Sequence, residues 1–99
     1  MIAFTRSASI APGKTASAIR FGHDVAKLIK DRHGITLELL MPIGGNPGRI
    51  AWHSRFEGLA QWESLIGKLM ADKDYMDLVA KSSDAFLPGS VHDDIWRTI

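Results

Sequence analysis

The chain has 99 residues, of which 45% are hydrophobic and 23% charged, and its formal net charge is +1 with neutral histidines. This composition is typical of a single globular domain, here residues 1–99, and it excludes a disordered chain. The nearly neutral charge gives no reason to expect nucleic acid or a membrane surface as a partner, and no apolar run reaches the roughly 20 residues of a membrane helix.

The chain contains no cysteine, which excludes disulfides, thiolate metal sites and thiol nucleophiles. The same absence agrees with a reducing compartment, so we expect a cytoplasmic location. No cofactor-binding signature is present, and we predict no cofactor. His92 with Asp93 and Asp94 offers ligand atoms without the spacing that defines a metal site, so we predict no metal either.

The first third of the chain predicts a strand followed by a helix. Residues 2–7 alternate, with Ile2 and Phe4 on one face, as in a short strand. Apolar residues then recur on one side of a helix that begins near Lys14. Gly34 follows two basic residues and is a suitable end for this helix.

A β-hairpin is predicted next, from ITLELLM at residues 35–41, a PIGGNPG turn and RIAWHSRF at residues 49–56. Successive side chains of a strand point to opposite faces. If the bulky residues of the second strand, Ile50, Trp52 and Phe56, face the helices, a more polar set faces away from them. That set comprises Thr36 and Glu38 from the first strand and Arg49, Ala51, His53 and Arg55 from the second.

The remainder predicts two helical segments and a closing strand. After Gly58, apolar residues including Trp62 and Leu69 recur at helical spacing. Asp72 is a suitable N-cap for a further segment, which Pro88 and Gly89 should end. Residues 91–99 then predict the last strand. The order βαββαβ with a central hairpin predicts an α+β fold with an antiparallel sheet and helices on one face, the ferredoxin-like arrangement.

Several segments together resemble a known family. They are PGK at 12–14, HG at 33–34, PIGGNPGRIAWHSRFEGLAQWE at 42–63 and ADKDYMDLVAK at 71–81. In these segments the chain resembles a NIPSNAP-like member of the dimeric α+β barrel superfamily, over nearly its whole length. The markers are glycines, tryptophans and an Asp-x-x-Tyr pattern, which are more specific for fold than for activity.

The resemblance implies a homodimer whose two sheets pack with their uncovered faces together, forming a barrel with an interior pocket. Related barrels include cofactor-independent monooxygenases, isomerases, haem-degrading enzymes and proteins without a known reaction. No shared catalytic motif of NIPSNAP-like proteins can be transferred to this chain.

The uncovered face supplies the candidate site. His53 and Glu38 are the candidate catalytic residues, because an imidazole titrates near neutrality and a neighbouring carboxylate tunes it. Arg55, Thr36 and Arg49 are the candidate ligand-binding residues. The alternatives are a purely structural histidine and an ion pair in which Glu38 and Arg55 satisfy each other.

Three functions are compatible with the sequence. The first is binding of a small aromatic or anionic molecule in a pocket on the uncovered sheet face. The second is catalysis of the cofactor-independent monooxygenase or isomerase type, with His53 or Glu38 moving a proton. The third is a structural homodimer whose interior is filled by side chains such as Leu40. The sequence does not decide whether the protein is an enzyme.

Overall fold

The computed structural model describes residues 1–99 and contains four strands, three α-helices and one short 3-10 helix. In chain order these are β1 (Ile2–Ser9), α1 (Thr15–His33), β2 (Glu38–Leu40), β3 (Arg49–Phe56), α2 (Leu59–Met70), α3 (Lys73–Lys81), the 3-10 helix (Ser83–Ala85) and β4 (His92–Arg97). No helix is both long enough and apolar enough to cross a bilayer.

The strands form one antiparallel sheet in the order β2-β3-β1-β4. The two central strands are therefore β3 and β1, and the edges are β2 and β4. Together with the element order, this topology is the ferredoxin-like arrangement, and the predicted α+β fold class is confirmed.

The helices cover one face of the sheet. Alternate residues of β3 are buried, namely Ile50, Trp52, Ser54 and Phe56, as the predicted parity requires. Phe56 packs in one hydrophobic cluster with buried residues of α1 and α2, and Ile50 and Trp52 pack in a second with Ala18 of α1. The opposite face, which we call the open face, carries Arg49, Ala51, His53 and Arg55 on β3.

Helix ends follow the predicted capping residues. Gly34 has a φ of 69° and donates its backbone N–H to the Lys30 carbonyl at 3.0 Å, ending α1, because glycine adopts this left-handed conformation without strain. Asp72 caps α3 by accepting hydrogen bonds from the backbone amides of Asp74 and Tyr75. Arg32 donates to both Asp72 and Asp74 and so joins the end of α1 to the start of α3.

The second strand is shorter than predicted, with three residues rather than the seven of 35–41. Ile35 and Leu37 still pack against the core, so the predicted parity holds although the ladder with β3 does not extend to them. In place of that ladder, the Ser54 hydroxyl donates to the Thr36 carbonyl at 2.8 Å. A buried hydroxyl on β3 thus substitutes for backbone pairing.

The segment between α3 and β4 also differs from expectation. The last helix ends at Lys81 and not at Pro88. The following residues return to β1 instead, with Phe86 in an isolated bridge to Ile10 and the Leu87 amide donating to the Ser9 carbonyl at 2.9 Å. This attachment keeps β1 extended to Ser9, two residues beyond the predicted strand.

Candidate functional site

A polar row crosses the open face from edge to edge. Glu38 of β2 lies directly opposite His53 of β3, Thr5 of β1 lies opposite His53 on its other side, and Asp94 of β4 lies opposite Thr5. Residues paired in this way share one face of an antiparallel sheet. The row therefore brings two carboxylates, an imidazole and a hydroxyl together on four adjacent strands.

The imidazole of His53 is held within this row. Its Nδ1 shares a hydrogen bond of 3.1 Å with the Thr5 hydroxyl, while its Nε2 has no protein partner. A ring fixed through one nitrogen keeps the other available for a proton or a ligand. Thr5 was not among the predicted site residues, because the contact depends on the register between β1 and β3, which the sequence does not specify.

A polar pocket of about 350 Å³ opens beside His53. Four of the five predicted site residues line it, namely Thr36, Glu38, His53 and Arg55. The pocket lies where residues 34–37 leave the β2–β3 ladder. We call it the open-face pocket.

The charged residues of the open-face pocket are not paired with each other. Glu38 and Arg55 take part in none of the ion pairs of the structure, so the alternative in which they satisfy each other is not observed. The Thr36 hydroxyl instead accepts from the Lys30 ammonium at 3.1 Å. Carboxylate and guanidinium groups therefore both remain available in this pocket.

Arg49 lies apart from this group. Its guanidinium donates to the backbone carbonyl of Asn46 at 3.0 Å, and it does not line the open-face pocket. The hydrogen bond braces the connection between β2 and β3. The structure thus brings together four of the five predicted site residues, and Arg49 supports the hairpin instead.

The larger cavity lies on the other face of the sheet. It has a volume of about 530 Å³, and 17 of its 21 lining residues are hydrophobic. Its walls come from β1 and β3, from all three α-helices and from the segment that leads into β4. We call it the helix-side cavity. Predicting the pocket only on the uncovered face missed it, since the alternation of apolar residues identifies a covered face but not whether side chains fill it.

Aromatic side chains dominate the helix-side cavity. All four phenylalanines, the single tyrosine and two of the three tryptophans of the chain line it. Phe21, Trp52 and Phe86 contact one another, with ring centroids 5.5 to 6.3 Å apart. The Trp52 indole N–H donates to the Gly22 carbonyl at 3.3 Å, whereas the buried Trp62 indole N–H has no partner.

One charged residue, Arg6, lines this cavity. Its Nε and Nη2 donate to the two carboxylate oxygens of Asp93 at 2.7 and 2.8 Å. The hydrogen bond with Asp93 raises the pKa of Arg6 above its ordinary value, and Tyr75 adds to the effect. A sequence pattern could have indicated this residue, because Arg6 interrupts the core-facing series Ile2, Phe4 and Ala8.

His92, Asp93 and Asp94, which offered possible metal-ligand atoms in the sequence, are not joined by a further ligand residue. His92 and Asp94 contact each other at 3.3 Å, and no cluster of three or more histidine, aspartate or glutamate side chains is suitable for holding a metal ion.

Solved structures share this fold across the full length of the chain. A NIPSNAP family protein of unknown function from Agrobacterium tumefaciens is 17% identical, with 99% of this chain and 87% of that chain covered and a TM-score of 0.83. An uncharacterised NIPSNAP domain protein from Burkholderia xenovorans is 13% identical, with 100% and 95% covered and a TM-score of 0.83.

A third similar structure carries a different description. It is a candidate antibiotic biosynthesis monooxygenase from Deinococcus radiodurans, 9% identical, with 100% of this chain and 93% of that chain covered and a TM-score of 0.73. No protein-family model matches the sequence, and no curated protein matches it. The resemblance seen in the sequence is therefore confirmed as a likeness of fold to NIPSNAP proteins and to monooxygenase-like proteins.

Proposed function

We propose that the protein binds a small, mainly apolar molecule in the helix-side cavity. The observation that carries this proposal is a space of about 530 Å³ walled largely by hydrophobic side chains. Protein interiors are otherwise close-packed, and an unfilled apolar space lowers stability. The volume lies within the roughly 300 to 1,000 Å³ of typical small-molecule sites. A ligand that fills the space would offset the cost of leaving it open.

Titration with N-phenyl-1-naphthylamine, an uncharged aromatic dye that fluoresces in apolar surroundings, tests this proposal. We expect saturable binding of one dye per chain. Val79→Phe should weaken binding by about tenfold or more, because a larger side chain on α3 would fill part of the cavity. Ala80→Phe is the control, since Ala80 is exposed on the same helix and does not line the cavity.

Equal dye affinity in Val79→Phe and Ala80→Phe would contradict binding in the helix-side cavity. Absence of any saturable binding by the wild-type chain would favour the third function, a structural homodimer. Far-ultraviolet circular dichroism of each variant confirms that the comparison is made between folded proteins.

A second candidate function is proton-transfer catalysis at the open-face pocket. It is favoured by one observation, the orientation of His53 by Thr5 beside Glu38. In this proposal His53 acts as the base, Glu38 tunes it, and Arg55 with Thr36 holds the substrate. One fold neighbour is described as a candidate antibiotic biosynthesis monooxygenase, and the sequence resemblance includes cofactor-independent monooxygenases. In the proposed reaction a dihydroxynaphthalene supplies the electrons: one oxygen atom of O2 enters the ring to give a hydroxynaphthoquinone, and the other leaves as water.

Oxygen uptake with a panel of dihydroxynaphthalenes tests the second candidate. His53→Gln and Glu38→Gln should abolish any turnover, because each removes a group that the proton transfer needs. His23→Gln should not change it, since His23 is exposed on α1. Turnover that survives in His53→Gln would contradict this assignment.

Assembly as a homodimer is part of the proposal. The open face exposes Trp96, with 66% of its surface accessible, and Leu40, with 41%. A small domain with exposed apolar side chains on an uncovered sheet gains stability by burying them. A second copy of the chain packed on this face would also enclose the polar row around His53. A cytoplasmic location is likewise proposed, from the absence of cysteine.

A further inference from the structure

We propose that the ligand of the helix-side cavity is an aromatic carboxylate whose acidic group binds Arg6. This inference rests on the proposed binding function and adds the chemical class of the ligand. It concerns a residue that the sequence patterns did not single out. The supporting features are the free donors of Arg6, its position as the single charge of the cavity, and the aromatic walls around it.

The guanidinium of Arg6 has donors to spare. Arginine carries five N–H groups in a planar fork. Asp93 accepts from Nε and from Nη2, and the nearby Tyr75 side chain makes only a minor contribution beside that of Asp93. The edge formed by Nη1 and the second hydrogen of Nη2 therefore has no carboxylate partner in the protein. That edge has the geometry to bind a carboxylate through two parallel hydrogen bonds.

Asp93 fixes the orientation of that free edge. A guanidinium held by two bonds of 2.7 and 2.8 Å loses little further side-chain freedom when a second acceptor binds. Phe4 adds to this restraint, because its ring centroid lies 5.8 Å from the guanidinium carbon. The side chain is one-third exposed, so a ligand can reach it.

The other residues that line the helix-side cavity favour an uncharged aromatic group for the remainder of the ligand. The other 20 lining residues carry no formal charge, so an acidic group in the cavity has one cation available to it. Tyr75 also lines the cavity and lies near the guanidinium, where it helps to raise the pKa of Arg6. Aromatic walls favour a flat ring system, which can contact them by offset stacking or edge to face.

Two ligands of nearly the same shape test this proposal. 2-Naphthoate and the uncharged 2-naphthamide share one ring system, and each is used to displace N-phenyl-1-naphthylamine from the wild-type protein. We expect the naphthoate to bind about tenfold more tightly than the amide. Equal affinity of the two would overturn the proposal and leave the proposed binding function intact, whereas failure of the dye itself to bind would overturn both.

Variants of the Arg6–Asp93 ion pair then test whether Arg6 causes the preference for naphthoate over naphthamide. The double variant Arg6→Gln with Asp93→Asn removes both charges and keeps groups that can hydrogen-bond to each other. We expect it to retain dye binding and to lose the preference for naphthoate. Arg97→Gln is the control, because Arg97 is exposed and does not line the cavity. An unchanged preference in the double variant would overturn the proposal.

Two single variants keep the test decisive if the double variant fails to fold. Asp93→Asn should strengthen naphthoate binding, because the carboxylate charge that partly neutralises Arg6 is gone while the amide oxygen of the variant can still accept a hydrogen bond that orients the guanidinium. Arg6→Lys should reduce the preference, since an ammonium retains the charge but not the two-pronged geometry. Weaker naphthoate binding in Asp93→Asn, together with an unchanged preference in Arg6→Lys, would contradict an anion contact at Arg6.

Discussion

The two faces of the sheet differ in the kind of open space beside them, which is apolar on one face and polar on the other. On the helix-covered face, apolar residues surround a cavity with a single charged residue, Arg6. On the open face, Glu38, His53, Thr5 and Asp94 form a polar row across all four strands. The covered face therefore carries the proposed site for an apolar ligand, and the open face carries the proposed dimer interface and the candidate polar site. A sheet face can therefore be covered by helices without being filled by side chains.

The largest expected effect contrasts two neighbouring residues of β3. Phe56 is 2% exposed on the covered face, and Phe56→Ala should lower the free energy of unfolding by about 3 to 5 kcal/mol, because it removes a buried ring and leaves a void. Arg55 is exposed on the open face, so Arg55→Ala should change stability by only about 0.5 kcal/mol or less. Urea unfolding measures both, and similar losses would contradict the assignment of faces.

The next effect concerns assembly through the open face. Trp96→Glu should weaken self-association by at least about 2 kcal/mol, because it replaces an anchoring aromatic residue with a charge. Light scattering at micromolar concentration should report a dimer for the wild type and a monomer for the variant. Arg20→Glu, an exposed change on α1, is the control. A monomeric wild-type chain would refute the proposed homodimer.

A smaller change in stability is expected from replacing two helical glycines with alanine, and the two positions should differ. A methyl group at Gly67 on α2 would meet no heavy atom within 4 Å, so Gly67→Ala should stabilise the protein by about 0.5 to 1 kcal/mol through helix propensity. A methyl group at Gly22 on α1 would lie 2.7 and 2.9 Å from the two terminal carbons of Leu39. The clash should cancel the gain there. Thermal unfolding compares the two, and an equal gain at both would indicate loose packing between α1 and β2.

The smallest effect tests the connection between the helices that cover the cavity. Arg32 and the capped backbone amides lower the pKa of the Asp72 carboxyl. The ionised carboxylate therefore stabilises the fold at pH values above its ordinary pKa of about 3.9, and this contribution is lost as pH falls through the lowered value. Asp72→Asn should reduce the urea midpoint at pH 7 and have little effect at the acid limit.

If Asp72→Asn lowers the urea midpoint by the same amount at every pH, the effect comes from the cap geometry and not from the charge. Asp77→Asn serves as the control on the same helix, because Asp77 is exposed and pairs only with Lys73. Its midpoint should change less than that of Asp72→Asn at pH 7.

Local patterns predicted most of the fold. Alternation gave the covered and open faces of β3, and capping residues gave the helix ends at Gly34 and Asp72. The late start of β2 at Glu38 and the attachment of Phe86 to Ile10 were not predicted. Both depend on contacts between residues distant in sequence, which local propensity does not encode.

The candidate site was predictable in part for the same reason. Strand parity placed Glu38, His53 and Arg55 on one face, and the structure brings them to one pocket. The helix-side cavity was not predictable, because it arises from how three helices and the segment before β4 pack against the sheet. Arg6 interrupts the core-facing series of β1, but its pairing with Asp93 depends on the register between β1 and β4.

The position of a bound aromatic dye tests whether the ligand site lies in the helix-side cavity. Nuclear Overhauser effects between N-phenyl-1-naphthylamine and assigned methyl groups would locate it on one face of the sheet. We predict contacts with the methyl groups of Val79 and Leu65, which line the helix-side cavity. Contacts with Ala51 and Leu40 of the open face, and none with Val79 or Leu65, would contradict ligand binding in the helix-side cavity.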